Sequence, residues 1–240
     1  VSGRVLRVSA GAVVAVGLSL SVIAAREEPV ELLFYLTVQV NLAYLVALLT
    51  GAGDRLRTAL TVYLVGTALV FVLVLANPWS GYAMVATVDA RGPVSDAGNL
   101  LLHAVAPPLA ATEWLTRRPR AALRPAYAVS LLAYPLVWLT VILVRGALGR
   151  DEDRYLYPFL DVPRLGYPTV VLNALLFALI LLLIALTAVR LTRPGPPRGD
   201  APLPRRDGGK RTWGWKRGVR WPPDEEPARP HDRLHDDDDI

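Results

Sequence analysis

Leu175-Leu-Phe-Ala-Leu-Ile-Leu-Leu-Leu-Ile-Ala-Leu186 is an unbroken apolar run in which polarity never alternates. A strand with one wet face alternates with a period of two. A long run without alternation reads instead as a helix that is apolar all round. Extended to Pro168 and Arg190, it reaches the roughly 20 residues needed to cross a hydrocarbon core. Working outward, five more segments read the same way: Val5–Ala24, Val30–Thr50, Thr58–Ala76, Ala97–Leu115 and Ala126–Leu148. Transmembrane strands would alternate over about ten residues, and Val70–Leu75 does not. The expected fold is an all-α polytopic membrane protein with six transmembrane helices over residues 1–190. A disordered tail is expected over residues 191–240.

Composition agrees, with 53% hydrophobic residues and a mean hydropathy of +0.36. The sequence contains no cysteine, which excludes a disulfide framework, a thiolate metal site and a catalytic thiol. The abundance of Ala, Arg, Val, Leu, Pro and Gly suggests a GC-rich bacterial source. Arg4 and Arg7 before an apolar run ending in small residues also fit a signal peptide. The run exceeds the usual 7–15-residue apolar region, however, so a retained first span is expected.

Loop charge sets the expected orientation. Arg4, Arg7, Arg55, Arg57, Arg117, Arg118, Arg120 and Arg124 lie on one side, and Arg26, Arg91, Arg150, Arg154 and Arg164 on the other. The first set is larger, and cytoplasmic loops carry the excess of Lys and Arg. Both termini are therefore expected in the cytoplasm of a plasma-membrane protein.

The few polar residues inside the spans then fall at one level of the outer leaflet. At 1.5 Å per residue, Thr37 lies about 10 Å deep, His103 about 9 Å, Asn173 about 8 Å and Arg145 about 5 Å. Polar groups at such depths mark candidate functional sites. Thr37 and Asn41 share a helix face, as do Asn99 and His103, each pair being four residues apart. Pro107 and Pro108 lack the N–H groups that the carbonyls of His103 and Ala104 would accept, so the fourth span should kink beside the histidine. The plainer alternatives are a threonine bonded back to its own helix, asparagines that join helices, a structural histidine and an arginine that snorkels to the interface.

The ordered set Phe34-Tyr-Leu-Thr-Val-Gln-Val-Asn41, His103-Ala-Val-Ala-Pro107, Glu113-Trp114, Tyr134-Pro135, Arg145-Gly146 and Tyr157-Pro-Phe-Leu-Asp161, then Gly166, resembles a group of bacterial six-span membrane proteins. These are distantly related to the androgen-induced membrane hydrolases of animals, which cleave fatty acid esters of hydroxy fatty acids. The resemblance spans most of residues 30–190. It implies a hydrolase with Thr37 as nucleophile and His103 as its partner. Glu113-Trp114 stands where the family often has Asp-Trp, and the third span lacks an expected histidine.

A threonine hydroxyl needs an adjacent base, and histidine is suited to that role. Oxyanion or pocket support would fall to Asn41, Asn173 or Arg145, with Asp161 or Asn99 orienting the histidine. The hydrophobic wall suits a lipid-like ester. No cofactor or metal is expected. The alternative is a non-enzymatic scaffold or a small-molecule binding or transport protein. A permease needs polar groups through both leaflets, yet the inner halves offer only Tyr134, Thr61, Tyr63 and Glu113.

Tyr155, Tyr157, Phe159 and Tyr167 suit an interfacial aromatic belt or a lid over the cavity. In the tail, Lys210–Trp221 mixes five cations with three tryptophans, which fits adhesion to an anionic inner leaflet better than nucleic-acid binding. His231, His235 and Asp236–Asp239 read as a solvated acidic end rather than a metal site.

Overall fold

The computed structural model describes residues 3–26, 29–84, 92–117, 122–149 and 155–192, and among these there are helices and turns but no strand. Four helices are apolar and long enough to cross a membrane: α1 (Gly3–Ala24), α3 (Asp54–Leu75), α5 (Pro125–Leu148) and α6 (Val162–Thr192). Between α1 and α3 lies the shorter α2 (Leu36–Thr50). A continuous helical run over 92–116, here α4, joins Gly92–Leu100, Leu101–Val105 and Ala106–Thr116. The tail beyond Thr192 lies outside the described residues. Leu191 and Thr192, expected to open it, still belong to α6.

The second predicted span began at Val30, but a 3₁₀ turn covers Pro29–Phe34 and the α-helix starts only at Leu36. Side chains explain the break. Gln39 Nε2 donates to the Leu33 carbonyl at 2.5 Å, and Trp138 Nε1 donates to the Phe34 carbonyl at 2.9 Å. A helix running through from Val30 would offer those carbonyls to the N–H groups of Thr37 and Val38. At the other end of the chain, Gly166 (φ 75°, ψ 155°) separates the first turn of α6 from its long apolar part. That left-handed conformation suits a residue without Cβ.

α3 sits at the centre, packed on α2, α4 and α6, while α1 packs on α2 and α4. α1 comes close to α4 because Gly17 has no side chain. A Cβ there would stand 2.7 Å from Leu102 Cδ2. Val14, Tyr44, Leu64, Ala110 and Ala185 belong to the main core, and Ile142, Leu156, Tyr157 and Val170 to a second cluster. Outward faces carry Leu49, Val137, Leu175 and Leu183. Such helices and surfaces are compatible with a lipid environment.

Glu113 on α4 is 1% exposed and accepts two hydrogen bonds from Arg57 on α3, with Arg117 also at 3.6 Å. Beside it, Trp114 Nε1 donates to Thr58 Oγ1 at 2.9 Å. This clamp joins α3 and α4. Removing one partner leaves a buried uncompensated charge, at a cost of about 3–5 kcal/mol. Thermal unfolding in detergent should therefore show strong destabilisation in Glu113→Ala. The Arg57→Ala/Glu113→Ala double variant should lose less than the sum of the single losses.

Candidate active site

His103 sits on a π-helical turn, Leu101–Val105, in which the Ala106 N–H reaches back five residues to the Leu101 carbonyl. Pro107 and Pro108 follow directly. Where the sequence predicts a kink, the helical run continues through this widened turn, which accommodates the missing N–H groups. A second π turn, Phe71–Leu75, ends α3. The Phe71 ring stacks on the His103 imidazole with centroids 4.4 Å apart and planes 28° apart. The two irregular turns thus hold the ring between them.

His103 Nδ1 lies 3.0 Å from the Asn99 carbonyl oxygen, and Nε2 lies 2.9 Å from Thr37 Oγ1. A carbonyl only accepts, so Nδ1 carries the proton. In the neutral ring Nε2 then offers its lone pair, and the Thr37 hydroxyl donates to it. This is the hydrogen-bond pattern of a nucleophile with its general base. The group behind the base is a backbone carbonyl one helical turn away rather than a carboxylate.

Thr37 differs from other threonines of the chain. Thr50, Thr61, Thr140 and Thr187 each donate to the carbonyl four residues back. Thr37 donates across to α4 instead. It stands in the first turn of α2, after the extended Tyr35, which provides no side-chain cap. First-turn N–H groups have no acceptor within their own helix. The N–H groups of Thr37 and Val38 therefore have no acceptor within α2 and stand at the positive end of its dipole.

The other predicted site residues take different places. Asn41 is fully buried and its Nδ2 donates to the Thr37 carbonyl at 2.9 Å and the Leu102 carbonyl at 3.5 Å. It ties α2 to the π turn, and its amide N–H groups are committed to these carbonyls. Asn99 contributes its backbone carbonyl. Asn173 holds the outer loop, donating to the Phe159 carbonyl at 3.0 Å and to the Tyr82 hydroxyl at 3.4 Å. Arg145 pairs with Glu31 at 2.6 Å and lies 4.9 Å over the Phe34 ring. Asp161 accepts from the Arg164 N–H at 3.2 Å, capping the first turn of α6. Of the seven predicted residues, only Thr37 and His103 meet side chain to side chain.

Tyr157, read from the sequence as part of a belt or a lid, lines the site. It is buried, with its ring edge-on to Tyr35 and Trp138 at 5.8 and 5.7 Å. Burial pushes its hydroxyl pKa well above the usual range, so the phenol keeps its proton. Phe159 follows it inward, while Tyr167 remains 68% exposed. Tyr157 and Phe159 thus cover the site from inside the fold, the lid alternative rather than the belt.

Thr37 and His103 lie on a wall between two cavities, completed by Leu75 and Tyr157. One cavity, of about 150 Å³, lies among α2, α3, α5 and α6, against Gly66, Leu136, Ala174, Ala178 and Leu181. The other, of about 430 Å³, lies against Ser21, Tyr35, Val38, Ser95 and Asn99.

Compared with known protein families, curated proteins and solved structures, the chain matches none. The site therefore rests on its own geometry.

That geometry assigns a tautomer. In protein carrying ¹⁵N-labelled histidine, the neutral His103 ring should show a protonated Nδ1 and an unprotonated, hydrogen-bonded Nε2. The His103→Gln variant identifies the signal. In Thr37→Val the Nε2 resonance should move as its donor is lost. An Nε2–H tautomer in the wild type would contradict the arrangement.

Proposed function

We propose that this chain is a six-span membrane protein with both termini in the cytoplasm, and that it hydrolyses lipid-like esters with Thr37 as nucleophile and His103 as base. The observation that carries the reading is the 2.9 Å Thr37 Oγ1–His103 Nε2 pair, with Nδ1 held by the Asn99 carbonyl. Its position between two cavities supports the same reading, because the two halves of an ester need separate space. The resemblance to the androgen-induced membrane hydrolases points to the same two residues.

Thr37 Oγ bonds to the ester carbonyl carbon while its proton passes to His103 Nε2. The oxyanion that forms lies near the N–H groups of Thr37 and Val38, donors of the kind that stabilise such charge. Collapse breaks the carbon–alkoxy bond, and Nε2–H protonates the departing alkoxide. The acyl group is then an ester of Thr37. Water attacks it while Nε2 takes the water proton. Release of the carboxylic acid returns a proton to Thr37 Oγ and restores the neutral dyad.

The test is labelling of the purified, detergent-solubilised protein with a fluorophosphonate, together with ester turnover. Wild type should label. Thr37→Ala and His103→Ala should fold, fail to label and lose turnover, with the base alone accounting for about 10²–10⁴-fold. Full turnover in either folded variant overturns the mechanism.

A further inference from the structure

The two cavities differ in what they offer a ligand. In the first, the polar side chains are already satisfied. The Tyr63 hydroxyl donates to the Leu131 carbonyl at 2.8 Å, Thr67 to Leu64 at 3.0 Å and Trp138 to Phe34 at 2.9 Å. What remains is a slot of Leu, Ile, Ala, Gly and Phe. From Leu75 to Tyr63 along α3 it runs about 18 Å, roughly one leaflet of the hydrocarbon core. Ala174 and Ala178 leave the room on the α6 side.

The second cavity is different. Ser95 and Asn99 line it, and among the described residues the Ser95 hydroxyl and the Asn99 side-chain amide carry no hydrogen bond. No Lys, Arg, Asp or Glu lines it among those residues. Among the described residues the site thus offers free neutral donors and acceptors and no cation, which suits an uncharged hydroxylated group. It disfavours a phosphate or a carboxylate, which would be desolvated without a counter-charge.

Resting on the Thr37–His103 reading, we infer that the wall sorts the substrate. A single unbranched acyl chain lies in the slot beside Ala178, and an uncharged polyol alcohol lies in the cavity beside Ser95 and Asn99. The substrate class is a neutral acyl ester of a polyol such as glycerol.

The experiment is a crossed panel on the full chain in detergent. Butyryl and palmitoyl esters of glycerol, ethanol, glycerophosphate and a hydroxy acid are compared in wild type, Ala178→Phe and Ser95→Leu. Each rate is normalised to the same protein's hydrolysis of p-nitrophenyl acetate. Wild type should prefer glycerol esters over all three other alcohols. Ala178→Phe should lower palmitoyl relative to butyryl kcat/KM by about tenfold or more, whatever the alcohol. Ser95→Leu should lower glycerol relative to ethanol esters by about tenfold, whatever the acyl chain. A preference for the glycerophosphate or hydroxy-acid esters overturns the assignment of the alcohol cavity. Palmitoyl turnover untouched by Ala178→Phe, or both variants shifting both selectivities alike, overturns the sorting. Wild type that cleaves no ester, p-nitrophenyl acetate included, overturns the Thr37–His103 reading itself.

Discussion

The absence of two backbone N–H groups, at Pro107 and Pro108, shapes the centre of this molecule. A regular helix through Leu101–Val105 would leave the His103 and Ala104 carbonyls without donors and press proline rings against them. The chain answers with a π turn, whose Ala106 N–H bonds to Leu101. His103 is carried on that turn, with Asn99 one turn before it to take Nδ1–H. Gly17 admits Leu102 from the same turn against α1, and Asn41 bonds the Leu102 carbonyl from α2. Two neighbouring helices thus converge on five residues whose hydrogen bonding the prolines had disturbed.

Thr37 meets this turn because a second helix is interrupted as well. Gln39 and Trp138 occupy the carbonyls of Leu33 and Phe34, so α2 begins at Leu36. Thr37 consequently lacks the preceding α-turn to which Thr50, Thr61 and Thr140 return their protons. Its hydroxyl is released to His103, and neighbouring N–H groups are released with it. A hydroxyl and a base meet here because the regular hydrogen bonding of two helices is broken side by side.

The helical class was legible because apolar runs such as Leu175–Leu186 admit no other reading in lipid. The pairing of Thr37 with His103 was legible from depth, since residues at one level are the ones able to meet. Position around the helix axis was not legible. Asn173 lies at nearly the same level as His103, yet it holds the Phe159 carbonyl. The start of α2 was hidden for a related reason, because Trp138 is distant in sequence from the carbonyl it takes. Tyr157 read as interfacial because aromatic composition is the same for a belt and a lid. Between it and Tyr167 stands Gly166, which kinks the chain within α6.

The placement of formal charge explains why so small a dyad can matter. Glu113 is spent on Arg57 and Arg117, and Glu31 on Arg145. Asp161 is spent on a helix cap. These three carboxylates are thus paired or capped, and neither cavity beside His103 is lined by a carboxylate or a cation among the described residues. In such surroundings a developing charge is screened little by solvent, so fixed dipoles count for more than in water. A carboxylate behind the histidine would bring a further desolvated charge into this layer. The Asn99 carbonyl orients the ring without one, and the start of α2 supplies partial positive charge where an oxyanion would form. A neutral dyad supported by backbone dipoles is therefore the arrangement that a site with apolar walls can hold at low cost.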